Sequence, residues 1–267
     1  MAHNTKAGGN MKVEVKSLSF SYGKHRVLDG VDFVANTGEL LDFLGPNGVG
    51  KSTLFNCILG LRNDYDGEIL IDGKAVRNMR PVDLAQRIAY VPQSHSPTFG
   101  YSVYDMVLMG TTPQISGASM PGKRETEQTE RALETLDIAH LHDRPYTEIS
   151  GGERQLTLIA RALAQKTRII IMDEPTANLD YGNSLRVLTK IKELAREGYT
   201  IMCSTHNPDH AFLFADRVAA LSDGRITALG APQTAITTEL LRQLYDVDVT
   251  IDQTVNGSFA CVPKLSV

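Results

Sequence analysis

The sequence predicts an α/β fold with a mixed, largely parallel sheet, an antiparallel β subdomain and a helical subdomain. Residues 39–44 form a largely apolar run that leads into a glycine-rich loop and a helical pattern at residues 53–61. Residues 169–172 are apolar throughout, which is typical of a parallel strand buried on both faces. Between these strands, residues 102–110 and 123–141 have helical spacing.

The segments nearest the glycine-rich loop indicate antiparallel strands. Residues 12–39 alternate apolar and polar side chains, and residues 68–76 do so around an Asp72-Gly73 turn. A period of two is typical of strands with one buried face, and Asp-Gly is a hairpin turn signal. We therefore expect an antiparallel β subdomain beside the loop.

The loop fits the pattern G-x-x-x-x-G-K-[ST]. Its glycines let backbone N–H groups turn inward around a polyphosphate, and the following helix adds the positive end of its dipole. The lysine can reach the β- and γ-phosphates, and the serine hydroxyl can bind Mg²⁺. The sequence thus predicts a P-loop NTPase core, and the absence of an Asn-Lys-x-Asp motif favours ATP over GTP. The residues expected to contact the nucleotide here are Gly45, Pro46, Asn47, Gly48, Gly50, Lys51, Ser52 and Thr53.

Two carboxylates, Asp173 and Glu174, end the apolar run at residues 169–172. Asp173 is placed to hold Mg²⁺ through water, and Glu174 can polarise the water that attacks the γ-phosphorus. Considered alone, the pair can equally be two solvated acids at the end of a strand.

A further helix is predicted to begin at Ser150-Gly151-Gly152-Glu153. Ser-x-x-Glu is a capping box that any helix can use. Two glycines at the first helical positions weaken a helix, however, and they would leave exposed amides that can meet a phosphate. Both interpretations stay open from this segment alone.

The remaining elements complete the predicted organisation. We expect a helix at residues 184–196, a strand at 200–204, a short helix from Pro208, and hairpins at 218–229 and 247–262. The predicted units are an ATP-binding core with its β subdomain at 12–93 and 166–235, a helical lobe at 94–165 and a C-terminal extension at 236–267. A disordered tail or added leader is expected at 1–11.

The composition argues against several classes of protein. The 267 residues carry a net charge of -4, without the basic excess expected of a nucleic-acid partner. Apolar runs fall far short of the ~20 residues that cross a bilayer, and the polar first ten residues do not resemble a signal peptide. The spacing of Cys57, Cys203 and Cys261 favours free thiols in a reducing cytoplasm.

Together these motifs resemble the nucleotide-binding subunit of ATP-binding cassette (ABC) transporters over residues 13–229. The signature motif of that family more often reads Leu-Ser-Gly-Gly-Gln, so Ile149 and Glu153 are mild departures. The matched segments are Walker A at 45–53, the Q-loop at 91–93, the signature at 149–153, Walker B at 170–174, the D-loop at 178–180 and the switch-histidine loop at 204–206.

The resemblance implies a head-to-tail homodimer with ATP at its interface, each ATP contacting Walker A of one subunit and the signature of the other. The implied Mg²⁺ ligands are Ser52, Gln93 and Asp173. The implied catalytic residues are Glu174, His206 and Gln93. The further implied nucleotide contacts are Tyr22 under adenine, Asp180 across the interface, and Ser150, Gly151, Gly152 and Glu153 from the facing subunit.

Residues 99–110, 149–165, 237–241 and 245–247 look like the ATPases of iron–siderophore, haem and cobalamin importers. This likeness implies a peripheral position at the cytoplasmic face of the membrane, integral permease subunits and, indirectly, a substrate-binding protein. A permease helix would enter a groove for which Tyr101, Val103, Tyr104 and Met106 are candidates, unless they form the core of the lobe. The cargo stays open among molybdate, haem, ferric siderophore and cobalamin. A non-transport ABC ATPase of the iron–sulfur assembly type and an exporter ATPase also stay open.

Asp42 departs from the expected pattern because it lies in the strand that leads to the P-loop. An unpaired buried carboxylate costs several kcal/mol or takes up a proton. We expect its carboxylate to pair with a hydroxyl or a lysine, or the strand to be more exposed to water than its neighbours.

Overall fold

The computed structural model describes residues 12–93, 100–115 and 119–264. The predicted leader at 1–11 and residues 94–99 of the predicted lobe lie outside these ranges. The strands are β1 (Val13–Tyr22), β2 (His25–Ala35), β3 (Leu40–Leu44), β4 (Asp66–Ile71), β5 (Lys74–Ala75), β6 (Ile88–Val91), β7 (Ile169–Met172), β8 (Thr200–Thr205), β9 (Arg217–Ser222), β10 (Arg225–Gly230), β11 (Val249–Gln253) and β12 (Phe259–Pro263). The α-helices are α1 (Lys51–Ile58), α2 (Pro81–Ala85), α3 (Val103–Leu108), α4 (Lys123–Thr135), α5 (Gly151–Ala164), α6 (Tyr181–Arg196), α7 (Pro208–Phe214), α8 (Pro232–Ala235) and α9 (Thr238–Tyr245).

The central sheet has the strand order β10-β9-β3-β8-β7-β6. The five strands from β9 to β6 run parallel, and β10 pairs antiparallel with β9. All of β7 is buried, as expected for a strand covered on both faces. The predicted mixed, largely parallel sheet is therefore confirmed. Because β3, β8 and β7 are neighbours, the loops that follow them meet at one edge of the sheet.

The antiparallel β subdomain is a second sheet in the order β2-β1-β4-β5. It packs over α1 and one face of the central sheet. Phe33 from β2, Phe43 from β3 and Phe55 from α1 form a series of edge-to-face contacts with ring centroids 5.0 and 5.4 Å apart. Such aromatic pairs add to the stabilisation from burial itself. This packing fixes the strand and the helix on either side of the glycine-rich loop.

The opposite face of the sheet carries α6 and the helices α3, α4 and α5. Val103 and Met106 of α3 are fully buried in this second core. Their prediction as groove residues is therefore wrong, because they turn inward to stabilise the lobe. Tyr104 is partly buried against the same core and stacks on His142, whereas Tyr101 is exposed.

The predicted helix at 123–141 is shorter than expected. It ends at Thr135, and a separate 3-10 turn covers Ala139–Leu141. Asp137 has φ of 57°, a left-handed conformation that cannot continue a helix. Its carboxylate pairs with Lys190 of α6 at 2.7 Å, so the break joins the lobe to the central layer.

The C-terminal extension packs against α7. α9 and the hairpin of β11 and β12 pack with Ala211 and Phe212 in a third apolar cluster that also reaches Leu44 of β3. Both predicted hairpins, at 218–229 and 247–262, are confirmed, and they turn at Asp223-Gly224 and Asn256-Gly257.

Asp42 lies in the centre of the sheet, between β8 and β9, with only 3% of its surface exposed. Lys192, a lysine close enough to affect it, instead binds Asp216 at 2.6 Å. Burial raises the pKa of Asp42 to about 7, against the attraction of Lys192. Uptake of a proton is thus the outcome that this strand favours.

Candidate functional site

The glycine-rich loop connects β3 to α1 over residues 45–50. Gly48 and Gly50 have φ of 84° and 110°, which side-chain-bearing residues rarely adopt. A Cβ on Gly50 would also lie 3.0 Å from the backbone oxygen of Val27 in β2. The two glycines are therefore required by the path of the backbone. The loop delivers the first turn of α1, whose amides have no acceptor within the helix, to the edge of the sheet.

Lys51 is held inside this loop, with its side chain only 5% exposed. Its ammonium donates hydrogen bonds to the backbone oxygens of Gly45 (2.6 Å) and Pro46 (2.9 Å). Its Nζ also lies 3.7 Å from Oε1 of Glu174. Burial lowers the pKa of Lys51, while the charges of Glu174 and Asp173 oppose that shift. The arrangement places a cation at the mouth of the loop.

Glu174 follows β7 in a left-handed conformation, with φ of 45°. Such strain in a residue other than glycine costs roughly 1–3 kcal/mol and is common at functional sites. The conformation is held by its backbone N–H, which donates to Oγ of Ser204 at 2.8 Å. Its carboxylate accepts a 3.2 Å hydrogen bond from Nε2 of Gln93 and lies 3.5 Å from Nδ1 of His206. Glu174 is therefore oriented towards the loop by groups from two other segments, Gln93 after β6 and Ser204 with His206 at the end of β8.

Lys51, Gln93 and Glu174 line one cavity of about 360 Å³ at the edge of the sheet. A lysine and helix-start amides suit phosphate oxygens, and hydroxyl, amide and carboxylate oxygens suit Mg²⁺. The donor set thus fits a nucleoside triphosphate with its metal. The residues that line the cavity are Asn47, Gly48, Gly50, Lys51, Ser52, Thr53, Gln93 and Glu174.

Asp173 lies beside this cavity rather than in its lining. It is buried, its backbone N–H donates to Val91 at 2.9 Å, and its Oδ1 accepts a 2.6 Å hydrogen bond from Ser204. One serine hydroxyl therefore makes hydrogen bonds with both Asp173 and Glu174. Sequence reasoning missed Ser204 as a site residue, although its place at the end of a strand beside β7 could have indicated it.

Other predicted nucleotide contacts lie apart from the cavity within this subunit. Tyr22 is at the end of β1, 45% exposed, with the Arg62 guanidinium 5.3 Å from its ring centroid. Asp180 caps α6 by accepting a hydrogen bond from the backbone of Asn183 at 2.9 Å. That bond, together with the Asn183 side chain, holds the pKa of Asp180 low.

The Ser150–Glu153 segment forms the start of α5 as a complete capping box. Oγ of Ser150 accepts from the Glu153 backbone at 3.3 Å, and Glu153 accepts from the Ser150 backbone at 2.8 Å. The capping interpretation is thus confirmed. The glycines serve close packing as well, since a Cβ on Gly152 would lie 2.4 Å from Oδ1 of Asn183. A phosphate role for this segment stays a prediction.

A larger, mostly apolar groove of about 620 Å³ separates the central layer from the helical lobe. Met109 borders it from the lobe and Leu61 from the end of α1, and both are exposed. Gln86, which follows α2, joins the central layer to the lobe by donating a hydrogen bond to the backbone oxygen of Pro113 at 2.9 Å. Tyr101 lies in a neighbouring pocket that shares Met109 and Thr112 with this groove.

Comparison with known proteins gives one consistent result. The family model for ABC transporters matches residues 28–177. An uncharacterized ABC transporter ATP-binding protein of Haemophilus influenzae is 39% identical over 88% of this chain and 89% of its own length. A hemin import ATP-binding protein of Nocardia farcinica is 36% identical over 89% and 82%. A solved structure described as a metal-chelate type ABC transporter, in an inward-facing conformation, has a TM-score of 0.84 and 32% identity over 96% and 98%.

A helix that crosses a bilayer needs about 20 predominantly apolar residues. Within residues 12–93, 100–115 and 119–264, no helix is both long and apolar enough to cross a membrane.

Proposed function

This chain belongs to the ABC transporter family, and we propose that it is the ATP-hydrolysing subunit that powers uptake of a metal chelate through a separate permease. The meeting of Lys51, Gln93 and Glu174 at one cavity, with His206 3.5 Å from the Glu174 carboxylate, carries the enzymatic part of this proposal. The hemin import ATP-binding protein of Nocardia farcinica and the metal-chelate type ABC transporter structure support the import part and the class of cargo.

The arrangement supports a division of roles among the residues of the cavity. Lys51 and the first-turn amides of α1 hold the β- and γ-phosphates of ATP. Ser52, Gln93 and Asp173 would hold Mg²⁺, which neutralises phosphate charge when it is bound. Glu174 accepts the proton of the attacking water, and His206 contacts the γ-phosphate beside it. Because Gln93 and His206 both face the Glu174 carboxylate, they orient it towards that water.

Two copies of the chain complete the site in this proposal. Ser150, Gly151, Gly152 and Glu153 do not line the cavity of their own subunit. They begin a helix of 14 residues, whose positive end suits a γ-phosphate presented by a facing copy. A head-to-tail dimer related by a twofold axis would thus form two equal sites. Asp180, at the start of α6 next to this segment, would lie at the same interface, and Tyr22 would stack on adenine.

The apolar groove supports a membrane partner. Its exposed Met109 and Leu61 suit the apolar face of a short helix. Binding of an amphipathic helix in an apolar groove is a common mode of recognition. We assign the groove to a cytoplasmic helix of the permease, and this assignment replaces Val103 and Met106 with Met109. The subunit would then sit peripherally at the cytoplasmic face of the membrane, and act on a substrate-binding protein only through the permease.

The test is purification of the chain from its native membranes in mild detergent, with mass spectrometry of whatever accompanies it. We expect a polytopic permease, and ATP-dependent uptake of a metal chelate once the complex is placed in vesicles. Recovery of soluble partners alone, such as iron–sulfur scaffold proteins, would contradict the import function.

Substitution in the groove sharpens this test. Met109→Glu should retain ATP hydrolysis by the isolated subunit but lose the permease in the same purification. Met120→Glu is the matched control, because Met120 is highly exposed on the lobe but does not line the groove. Equal permease recovery with both variants would reject the groove assignment.

A further inference from the structure

The C-terminal hairpin of β11 and β12 is attached to the helix that follows His206. The backbone N–H of Cys261 in β12 donates to Oδ1 of Asp209, in the first turn of α7, at 2.8 Å. One turn further along α7, the ring of Phe212 stacks on Phe259 of β12, with centroids 5.6 Å apart and 24° between planes. A polar and an aromatic contact therefore hold α7 against the hairpin.

His206 lies between β8 and this helix. Its side chain is 55% exposed, so packing alone does not fix the ring beside Glu174. The residues around it are held by hydrogen bonds instead. Asn207 donates from its backbone to Oγ1 of Thr205 at 3.1 Å, and its side chain accepts from the backbone of Asp209 at 2.9 Å. β8 holds this segment from one end and α7 holds it from the other.

The C-terminal extension also packs on α7 through Tyr245. This residue, at the end of α9, packs against the third apolar cluster, which includes Ala211 and Phe212 of α7. Its hydroxyl is buried without a hydrogen-bond partner among the described residues. Burial raises the pKa of this hydroxyl, and negative charge on Cys261 and on Glu174 adds to the shift. The extension is therefore joined to α7 by apolar packing as well as by the contacts of Asp209 and Phe212.

We propose that Asp209 is a positioning residue for His206. The β11–β12 hairpin holds Asp209 in place, and Asp209 in turn fixes the start of α7 next to His206. This inference rests on the proposed ATPase function and concerns the same site. The hairpin fixes Asp209, Asp209 joins Asn207 in the first turn of α7, and that turn sets the distance between His206 and Glu174. A hairpin that only covered apolar surface would stabilise the fold without affecting turnover at a given ATP occupancy.

The test compares Asp209→Ala with Asp209→Asn, because asparagine keeps the oxygen that accepts from Cys261. Loss of one such hydrogen bond should lower kcat about three- to tenfold in the alanine variant. The KM for ATP and the affinity for ATP in a binding titration should stay unchanged, since the P-loop is untouched. The asparagine variant should recover most of kcat.

A double-mutant cycle with His206→Ala separates positioning from stability. Asp209→Ala should have no further effect on kcat once the histidine is absent. An equal loss of kcat in both backgrounds, or an unchanged kcat with a lowered melting temperature, would overturn the proposal. Phe259→Leu, which loosens the ring contact but keeps apolar volume, gives the same comparison if Asp209→Ala does not fold. Absence of ATP hydrolysis by the unmodified chain would instead reject the proposed function, and this inference with it.

Discussion

The hydroxyl of Ser204 donates a 2.6 Å hydrogen bond to Oδ1 of Asp173 and accepts the backbone N–H of Glu174 at 2.8 Å. One side chain at the end of β8 thus holds both acids at the end of β7. It fixes the orientation of Asp173 and supports the left-handed backbone of Glu174. The geometry of the acid pair therefore depends on the neighbouring strand.

Ser204→Ala should impair both stability and turnover. It leaves a buried carboxylate oxygen and a buried N–H without partners, which costs about 1–3 kcal/mol of unfolding free energy. Chemical denaturation and ATPase assays measure the two effects. Ser222→Ala is the control, because this buried serine ends β9 and makes only a 3.4 Å contact with Asp223. Wild-type turnover in Ser204→Ala would show that the acids do not need this hydroxyl.

Glu174→Gln should bind ATP but hydrolyse it at least about 10²-fold more slowly, as expected for a lost general base. Glutamine keeps the shape of the side chain and an oxygen that can accept from Gln93, so the cavity should be preserved. ATPase assays and ATP titration measure the two properties. Size-exclusion chromatography with ATP should also detect an accumulated dimer. Normal hydrolysis would remove Glu174 from the catalytic role.

Lys51→Ala should lose tight ATP binding, by roughly 10- to 100-fold in Kd, because a buried cation that suits phosphate is removed. Titration with a fluorescent ATP analogue measures this loss. Lys123→Ala is the control, since Lys123 is an exposed lysine at the start of α4. An unchanged affinity in Lys51→Ala would contradict the phosphate role of this residue.

Asp42 should make the fold less stable as the pH rises. Its folded-state pKa of about 7 lies above the ordinary value of 3.8, so the folded state retains a proton that the unfolded chain releases. Its contribution is complete below pH ~4 and is lost as the pH rises through about 7, by on the order of 4 kcal/mol.

The measurement is urea unfolding of Asp42→Asn and of the unmodified chain between pH 5 and 8. The variant cannot release this proton, so its stability relative to the unmodified chain should increase with pH. Asp64→Asn, at an exposed site, should show no such trend. ATP hydrolysis should be unchanged by Asp42→Asn, and a constant stability difference across this range would contradict the buried-proton interpretation.

Short sequence patterns made much of the fold and of the site predictable. The period of two before the P-loop, the apolar strand at β7 and the Asp-Gly and Asn-Gly turns each specify a local backbone form. The P-loop pattern is equally local, because Gly48 and Gly50 must adopt left-handed φ angles and Lys51 must follow them. These features need no knowledge of distant residues.

The spacing of apolar residues along α3 could not show which of its side chains line the groove. Val103, Met106 and Met109 all lie on or just beyond α3, yet the first two pack in the lobe and the third faces the groove. Which face turns inward depends on where α4 and α5 lie. The break after Thr135 likewise depends on the left-handed Asp137 and its partner on α6.

The strand–loop–helix unit, the acid pair after a buried strand and the α/β class were predictable because each arises from residues close together in the chain. The position of β8 between β3 and β7 follows from long-range packing, and it brings Ser204 into contact with both acids and His206 beside Glu174. The contact of the C-terminal hairpin with α7 is also long-range, since Cys261 and Asp209 are 52 residues apart in the chain. Strand order and long-range packing result from burial summed over the whole molecule, and no local pattern encodes that sum.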